Sequence, residues 1–242
     1  MNLILTMAGK YSRFKLFGSK VPKYLLPLGA ETMLAEVIKQ FLRSAPNCKI
    51  HLIANRNDQI FYPIVRSIIG KYGIDHKSLI YIDDTSSQLE TALASSDLLA
   101  RDELFTPIAF ANIDTILFGR STFFNLLDKC EAEAGIIDTF KAANKYYSYI
   151  RANECNKVID IVDKNIISSK ACSGLYGFGS YSFMAKNAMI LLKENSFANF
   201  TDLYKKYISS SHNVLAHHSE DFNNTIVLGT PEEYVINIHR FK

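Results

Sequence analysis

The first half of the chain alternates short apolar runs with longer amphipathic segments, and this alternation restricts the possible folds most. The apolar runs are nearly continuous, as in strands that are covered on both faces of a sheet. They are "LILTMA" (3–8), "KIHLIAN" (49–55), "LIYID" (79–83) and "PIAFANID" (107–114). Between them, 32–45 and 86–100 each place their apolar residues on one helical stripe. The pattern predicts right-handed βαβ units, a mainly parallel sheet and a ligand site at the carboxyl ends of its strands.

After residue 134 the pattern changes, because strand-like runs follow one another with turn-like breaks. These runs are "AGIIDTF", "YSYIRAN", "KVIDIVDK" and "CSGLYGFGS", and they predict an antiparallel meander. The remaining predicted elements are helices at about 181–194 and 199–211, a strand at "NTIVLG" and a terminal helix after Pro231. We expect one domain over 1–242, with the second half (119–242) joined to the same sheet as the first (1–118).

Composition and charge narrow the class of protein. A chain of 242 residues with 48% apolar residues can fill a large α/β core. The net charge of +3 is spread along the chain, which argues against a nucleic-acid footprint. The cysteines lie far apart and indicate buried thiols rather than a zinc site or disulfide framework; they are Cys48, Cys130, Cys155 and Cys172. No apolar window has the length of a membrane span and 3–8 lacks a signal peptide's basic flank, so we expect a soluble, cytoplasmic protein.

The loop after the first apolar run, "AGKYSR" (8–13), combines small residues, backbone donors and cations. Small side chains at its start let the backbone approach a base or ribose, and its amide groups can turn toward phosphate oxygens. Arg13 and Lys23 add positive charge, which favours a polyphosphate site. The loop matches neither the GxxxxGK[ST] P-loop nor the GxGxxG fingerprint. A tight βα turn with exposed basic residues is the alternative interpretation.

Read together, the motifs resemble the signature of nucleotidyltransferases that make activated sugars and related head groups. The signature begins with "MAGKYSRF", Pro22-Lys23 and "LLPLG". Further elements follow in the family's order: "SQLETAL" (87–93), "ANIDTIL" (111–117), "VDK" (162–164), "SGLYGF" (173–178) and "LGTPEEY" (228–234). The resemblance covers nearly the whole chain. It implies an α/β, Rossmann-like (GT-A-like) fold with a mixed, mostly parallel sheet flanked by helices and an antiparallel acceptor-binding layer.

The resemblance also assigns residues to a reaction between a nucleoside triphosphate and a phosphorylated small molecule. The residues that would bind the nucleotide are Met7, Ala8, Gly9, Ser12 and Gln88. Arg13 would neutralise the departing β- and γ-phosphates, and Lys23 would bridge the α-phosphate and the attacking phosphate. Asp114 would hold Mg²⁺.

On the acceptor side, the resemblance implies that Lys164 contacts the acceptor phosphate and that Ser173 and Gly174 line the acceptor site. Each role has a structural alternative. Asp114 could cap the following turn, the charges of "VDK" could be solvated, and Gln88 could be an ordinary polar residue of a first helical turn.

Several positions depart from the family's pattern. Met7 and Lys10 or Tyr11 stand where the loop motif has glycines, and Ser87 replaces a usual glycine. Val227 stands where the family often has an aspartate that is the second metal ligand. Asp221 and Glu232 are the guessed replacements for it.

Two further stretches have a structural interpretation. His217 and His218 are adjacent on a predicted strand, so they point to opposite faces and cannot chelate one metal together. The stretch "KYYSYI" (145–150) is interpreted as a strand with half-buried tyrosines rather than a base-stacking platform.

The chain is short for a hexose-1-phosphate nucleotidyltransferase and resembles the short cytidylyltransferases of surface-polysaccharide decoration, with phosphocholine or phosphoglutamine as acceptors. We therefore expect a Mg²⁺-dependent cytidylyltransferase that prefers CTP, acts in capsule biosynthesis and forms a homodimer. Two alternatives stay open. One is a glycosyltransferase of the same architecture, although the strand ends "NIDT" and not with a D-x-D pair. The other is a non-catalytic nucleotide-binding module, which Val227 favours.

Overall fold

The structure, a computed structural model, describes residues 1–219, 221 and 224–241. Its first half contains the strands β1 (Asn2–Met7), β2 (Pro27–Leu28), β3 (Glu31–Thr32), β4 (Lys49–Asn55), β5 (Leu79–Ile82), β6 (Ile108–Asn112) and β7 (Thr115–Leu117). The helices of this half are α1 (Ser12–Leu16), α2 (Met33–Ser44), α3 (Tyr62–Lys71) and α4 (Gln88–Leu93).

The second half begins with α5 (Ser121–Leu127) and is richer in strands. The strands are β8 (Gly135–Lys141), β9 (Ser148–Ala152), β10 (Val158–Asp163), β11 (Lys170–Phe178), β12 (Val214–Ser219) and β13 (Thr225–Val227). The other helices are α6 (Tyr181–Glu194), α7 (Phe200–Ser209) and α8 (Pro231–Asn237).

Strands from both halves form one sheet, which has nine strands over the described residues. β1 pairs in parallel with β4 and with β6, and β4 pairs in parallel with β5. β11 continues the sheet antiparallel to β6, β8 lies antiparallel to β11, and β12 lies parallel to β8. This mixed sheet, parallel in its centre and flanked by helices, confirms the predicted fold class.

The prediction of an antiparallel meander is wrong. β8 and β9 lie on opposite sides of β11, since both pair with its residue Ala171, and β9 pairs outward with β10. β12, which contains the predicted strand residues His217 and His218, then continues the sheet beyond β8. A run of β strands in the sequence carries no information on which strands are neighbours, because long-range packing decides the order.

The predicted helix over 86–100 is also shorter than expected. α4 ends at Leu93, and Ala94–Leu98 form a 3-10 turn. The hydroxyl of Ser95 donates to the carbonyl of Ala92 at 2.6 Å, a local bond that competes with continued α-helical pairing. The predicted helix over 32–45 is confirmed as α2, which begins after Thr32 because that side chain accepts from the amide of Ala35.

Alternate residues of the central strands face two hydrophobic cores, one on each side of the sheet. Leu3 and Leu5 pack in the core with α2, whereas Ile4 packs in the core with α6 and α7. This alternation explains why the runs are continuously apolar, since both faces of β1 are covered.

The core under α6 and α7 is dominated by aromatic rings. Phe178 is fully buried and stacks on Tyr204 with ring centroids 5.0 Å apart, and its ring also contacts Phe110 and Phe200 edge-on or tilted. Aromatic packing of this kind joins β6, β11 and α7 into one unit.

We predict that Phe178→Ala lowers the free energy of unfolding by about 3–5 kcal/mol, because the substitution leaves a cavity among rings that cannot collapse. The matched control is Phe105→Ala, since Phe105 is 68% exposed and should change the free energy by less than about 0.5 kcal/mol. Urea denaturation of the two variants measures the difference. Equal effects would show that this aromatic core is not the main source of stability here.

Candidate active site

Two adjoining cavities lie at the carboxyl ends of β1 and β6. The first, the β1 cavity, has a volume of about 580 Å³ and is lined by residues that include Ala8, Gly9, Lys10, Lys23 and Asp84. The second, the β11 cavity, has a volume of about 240 Å³ and is lined by residues that include Arg13, Asp163, Ser173, Gly174 and Glu233. Gln88, Asn112 and Asp114 line both cavities. This is the edge of the sheet at which the sequence pattern predicts a ligand site.

An ion pair stands at the junction of the two cavities. The Lys23 ammonium lies 2.6 Å from Oδ2 of Asp114, and the two side chains are 19% and 17% exposed. Asp114 follows β6 by two residues, and Lys23 begins a 3-10 turn after Pro22. The structure thus brings together the cation and the carboxylate that the sequence assigned to the reaction.

The loop after β1 is held by a hydrogen bond to Asp58, a carboxylate that the sequence analysis missed. Asp58 accepts from the hydroxyl of Tyr11 at 2.7 Å and from that of Tyr24 at 3.2 Å. Burial raises the pKa of Asp58, and the two hydroxyl donors oppose that rise. Tyr11 belongs to the loop and Tyr24 follows Lys23, so one carboxylate fixes both cation-bearing segments.

The strained backbone at Tyr11 turns the loop into α1. Tyr11 has φ 38°, the left-handed region, and the short helix begins at Ser12. Ser12 and Arg13 line an open hollow beside the ion pair, together with Lys10, Lys23 and Asp114. Three cations and the carboxylate of Asp114 therefore border the same hollow. Such a set of positive charges around an open space suits a polyanion.

The other wall of the β1 cavity is held by polar contacts from β4. The Asn55 amide donates to the carbonyl of Ala8 at 3.1 Å and to Asp84 at 2.7 Å. This hydrogen bond and the nearby ammonium of Lys10 lower the pKa of Asp84. Met7, by contrast, is 2% exposed and lies in the core, so any contribution to binding comes from its backbone.

Gln88 lies at the start of α4 and faces both cavities. Its amide lies 3.4 Å from Oδ1 of Asn112, at the long limit of a hydrogen bond, so it is available to a ligand. Ser87 caps the helix by accepting from the amide of Glu90 at 3.1 Å. That cap explains why serine suits the position where the family has glycine.

Ser173 and Gly174 form one wall of the β11 cavity. Gly174 has φ +90°, and a Cβ placed there would lie 2.7 Å from the side-chain nitrogen of Asn112. Glycine is therefore required both by the backbone and by the close approach of β6.

The opposite wall contains Glu233, a carboxylate that the sequence analysis did not select. Its Oε1 accepts from the hydroxyl of Tyr147 at 2.7 Å, and its Oε2 accepts from the amide of Thr230 at 3.0 Å. A Cβ on Gly229 would lie 3.1 Å from Asp114 Oδ2 and 3.5 Å from Glu233 Oε2, so both carboxylates border the same glycine. The signal in the sequence was the capping box "TPEE" (230–233), which fixes the direction of this side chain.

The residues considered as metal ligands differ in whether they line the β11 cavity. Val227 lines the β11 cavity, at the position where a second carboxylate was expected. The guessed replacements fall elsewhere, since Asp221 and Glu232 are exposed and Glu233 is the neighbouring acid that lines the cavity. Within 1–219, 221 and 224–241, no three His, Cys, Asp or Glu side chains converge to hold a metal. The oxygen donors of Asp114 and Glu233 nevertheless suit Mg²⁺, which completes its shell with phosphate oxygens and water.

Lys164 lies at the rim of the site and not in its wall. It has φ 53°, its side chain is 71% exposed, and its ammonium lies 3.6 Å from Asp163, which lines the β11 cavity. The interpretation of 145–150 as a strand is partly wrong, because β9 begins at Ser148 and Tyr146 and Tyr147 line the cavity before it. Burial raises the pKa of Tyr147, and the hydrogen bond to Glu233 adds to this rise.

The two adjacent histidines, which were considered as metal ligands, contact different residues. Nδ1 of His217 lies 2.6 Å from Asp138, and Nδ1 of His218 lies 3.0 Å from the Thr139 hydroxyl. The expectation of buried thiols is confirmed for Cys172 and wrong for the exposed Cys155. In the described part of the chain, no helix has the length and apolarity needed to cross a membrane.

Comparison with known proteins gives a match at the level of structure. No protein-family model matches the chain, and no curated protein matches it in sequence. The nucleoside-diphosphate-sugar pyrophosphorylase from Vibrio cholerae RC9 has a similar structure, with a TM-score of 0.81 and 21% identity over 98% of this chain and 99% of that one. The UDP-glucose pyrophosphorylase solved with UDP-glucose gives a TM-score of 0.79 and 15% identity, over 99% and 97%. This chain therefore has the fold of those two pyrophosphorylases.

We predict that Gly174→Ala destabilises the protein more than Gly73→Ala. Both glycines have positive φ, so each substitution costs about 1–2 kcal/mol in backbone strain. Only at Gly174 does the new Cβ press on Asn112, which adds about 1–3 kcal/mol of overpacking, whereas Gly73 has open space. Urea denaturation compares the two free energies of unfolding. Equal losses of unfolding free energy would mean that the Asn112 side chain moves at little cost and that this wall of the cavity is not tightly packed.

Proposed function

We propose that the protein is a nucleotidyltransferase that joins a nucleoside monophosphate from a nucleoside triphosphate to a phosphorylated small molecule and releases pyrophosphate. The observation that carries this proposal is the Lys23–Asp114 pair at the junction of two adjoining cavities. One cavity is bordered by the cationic loop and the other by hydroxyl and carboxylate groups. Two substrates placed in them would meet at the ion pair.

The nucleotide would occupy the β1 cavity, with its phosphates toward the open hollow next to Arg13. An oxygen of the acceptor phosphate attacks the α-phosphorus in line, and the bond to the pyrophosphate oxygen breaks. Arg13 stabilises the charge that develops on the leaving pyrophosphate. Lys23 stabilises the two phosphate groups that converge at the α-phosphorus, after its ammonium turns from Asp114 toward them. Positioning and charge neutralisation supply most of the catalysis, because this reaction leaves little covalent work for the protein.

Asp114 is the residue that would hold Mg²⁺, with Glu233 as the nearest second carboxylate at Gly229. When bound, the ion supplies charge neutralisation between the phosphate groups. Glu233 is already held by Tyr147 and Thr230, so its carboxylate has a fixed direction. Asp114, by comparison, exchanges its pairing with Lys23 when the phosphates arrive.

CTP is the nucleotide that we favour. The β1 cavity is lined by Gln88, Ala8 and Gly9, whose amide and backbone groups can bind the edge of a small pyrimidine, whereas Met7, the third residue of the predicted base site, is buried behind this lining. The β11 cavity suits a small polar acceptor such as phosphocholine, phosphoglutamine or a sugar phosphate, since Asp163, Glu233 and several hydroxyls line it. Lys164 could reach the acceptor phosphate from the rim by leaving Asp163.

This activity would provide an activated head group or sugar for a capsule or another surface polysaccharide. We place it in the cytoplasm, where nucleoside triphosphates are available, and we expect the enzyme to act as a homodimer. A non-catalytic nucleotide-binding module is the second candidate function. It is favoured by Val227, a hydrocarbon side chain in the cavity wall where the family often has a carboxylate.

One experiment separates these functions. The protein is incubated with each of the four NTPs, Mg²⁺ and a panel of phosphorylated acceptors, and pyrophosphate release is measured. The nucleotidyltransferase requires release that depends on both an NTP and a phosphorylated acceptor. Binding of NTP with no release from any acceptor would support the non-catalytic module.

We predict that CTP raises the melting temperature more than ATP or GTP does. A ligand that binds only the folded state at about 100 times its Kd stabilises by about 2.7 kcal/mol, a shift of roughly 5–10 °C for a chain of this size. Thermal denaturation with each nucleotide and Mg²⁺ measures this shift. Equal shifts from all four NTPs would remove the case for a cytidine preference.

We predict that Asp114→Asn lowers turnover by at least about 10²-fold, because the substitution keeps the shape and removes the charge that holds the metal. It should also abolish the dependence of NTP affinity on Mg²⁺, which calorimetry measures without any turnover. Asp102→Asn is the matched control, since Asp102 is exposed in the loop that precedes β6, at the opposite end of that strand. Near-normal activity of Asp114→Asn at low Mg²⁺ would place the metal elsewhere.

A further inference from the structure

An ion pair with both partners fully buried lies beneath the β11 cavity. Nε of Arg120 is 3.0 Å from Oδ2 of Asp138, and the side chains are 1% and 0% exposed. Removing two charges from water costs about as much as their attraction returns, so apolar residues of the same size would stabilise the fold equally well. A gain in stability therefore does not account for this pair.

The guanidinium of Arg120 connects the end of β7 to the start of β13. It donates to the carbonyl of Phe118 at 2.7 Å, to that of Asn224 at 3.1 Å and to the Thr225 hydroxyl at 2.5 Å. β13 continues from Thr225 to Val227, which lines the β11 cavity. Arg120 thus fixes the strand that forms one wall.

The carboxylate of Asp138 connects β8 to the opposite wall. Its Oδ2 accepts from the Ser173 hydroxyl at 2.5 Å, and its Oδ1 lies 2.6 Å from Nδ1 of His217 on β12. Ser173 and the adjacent Gly174 both line the β11 cavity. The same buried pair therefore holds two walls, one through each partner.

Ser173 lies where the pairing of β11 with β8 is interrupted. Cys172 is opposite Thr139 and Tyr176 is opposite Ile137, so four steps along β11 correspond to two along β8. The two extra residues form a bulge, and bulged residues lack ladder hydrogen bonds to fix them. The contact between Ser173 and Asp138 supplies an anchor for the bulge in place of the ladder.

We propose that Arg120 and Asp138 are positioning residues for the acceptor: they fix the bulge at Ser173 and the end of β13 relative to each other. This inference rests on the proposed function in assigning the acceptor to the β11 cavity. Neither side chain touches the acceptor, because both are buried behind the wall. The pair sets the affinity for the acceptor and leaves nucleotide binding in the β1 cavity unchanged.

The kinetic test uses two variants outside the cavity wall. Asp138→Asn keeps the size of the side chain and removes the charge that holds Ser173 and Arg120, and Thr225→Val removes the hydroxyl that accepts from Arg120. We expect the KM for the acceptor to rise about tenfold, since small displacements of a binding wall have effects of this size or larger. The kcat and the KM for the nucleotide should stay within about twofold. Ser95→Ala is the control, because Ser95 is equally buried and donates to a backbone carbonyl outside the cavity. Equal rises of both KM values, or no rise, would overturn the proposal.

A second measurement needs no turnover. Hydrogen exchange of Asp138→Asn and of Ser173→Ala should be faster at 172–176 than in the unchanged protein, and the same at 6–13. Unchanged exchange at 172–176 in Ser173→Ala would overturn the positioning role. The exchange of this variant can be measured even if Asp138→Asn does not fold. Faster exchange in a protein that releases no pyrophosphate with any acceptor would refute the proposed function, and would leave only the fixing of the two walls as the role of the pair.

Discussion

The parallel pairing of β1 with β6 is the constraint on which the site depends. Thr6 lies opposite Asn112, so the loop that follows β1 and the turn that carries Asp114 leave the sheet side by side. β4 adds Asn55 from the other side, where its amide holds the carbonyl of Ala8. Three strands with one direction therefore deliver a cationic loop, a carboxylate and an amide to one edge, and no long-range loop folding is needed to bring them together.

Two ion pairs at this edge of the sheet differ in their exposure to solvent, and therefore in how strongly water screens their charges. The pair of Lys10 and Asp84 is 65% and 45% exposed, so solvent screens it and either partner is easily released. The pair of Lys23 and Asp114 is less than one-fifth exposed, so its charges interact through a medium of lower polarity. In the proposed reaction, a phosphate group that enters the junction would therefore compete with Asp114 for the Lys23 ammonium. The charges of Lys23 and Asp114 are already next to each other without a ligand. Asp58 fixes the segments that carry the cations.

The sequence was sufficient for the elements whose signal is local. The strands of the parallel half, α2 and α6 have a strong apolar pattern and clear caps, and the turn after β6 follows from the break in its apolar run. Neighbour relations in the second half were not predictable, because β8 and β9 have the same kind of pattern and only tertiary packing decides which side of β11 each takes. Glu233 and Asp58 were missed for a related reason. Each takes its place in the site through a tyrosine that is far away along the chain, Tyr11 for Asp58 and Tyr147 for Glu233, and the local capping box of Glu233 gives no information on that tyrosine.

The antiparallel direction of β11 explains why the second cavity is at the same edge as the first. Since β11 runs opposite to β6, its residues before Leu175 pass the carboxyl end of β6 at Asn112. There β11 leaves β6, and further back it pairs with β9. The sheet opens between these two partners, and the bulge at Ser173 and Gly174 lies in the opening. A change of partner along one strand thus creates a concave space next to Asp114, and the buried charges of Arg120 and Asp138 lie where the missing ladder would otherwise have fixed the backbone.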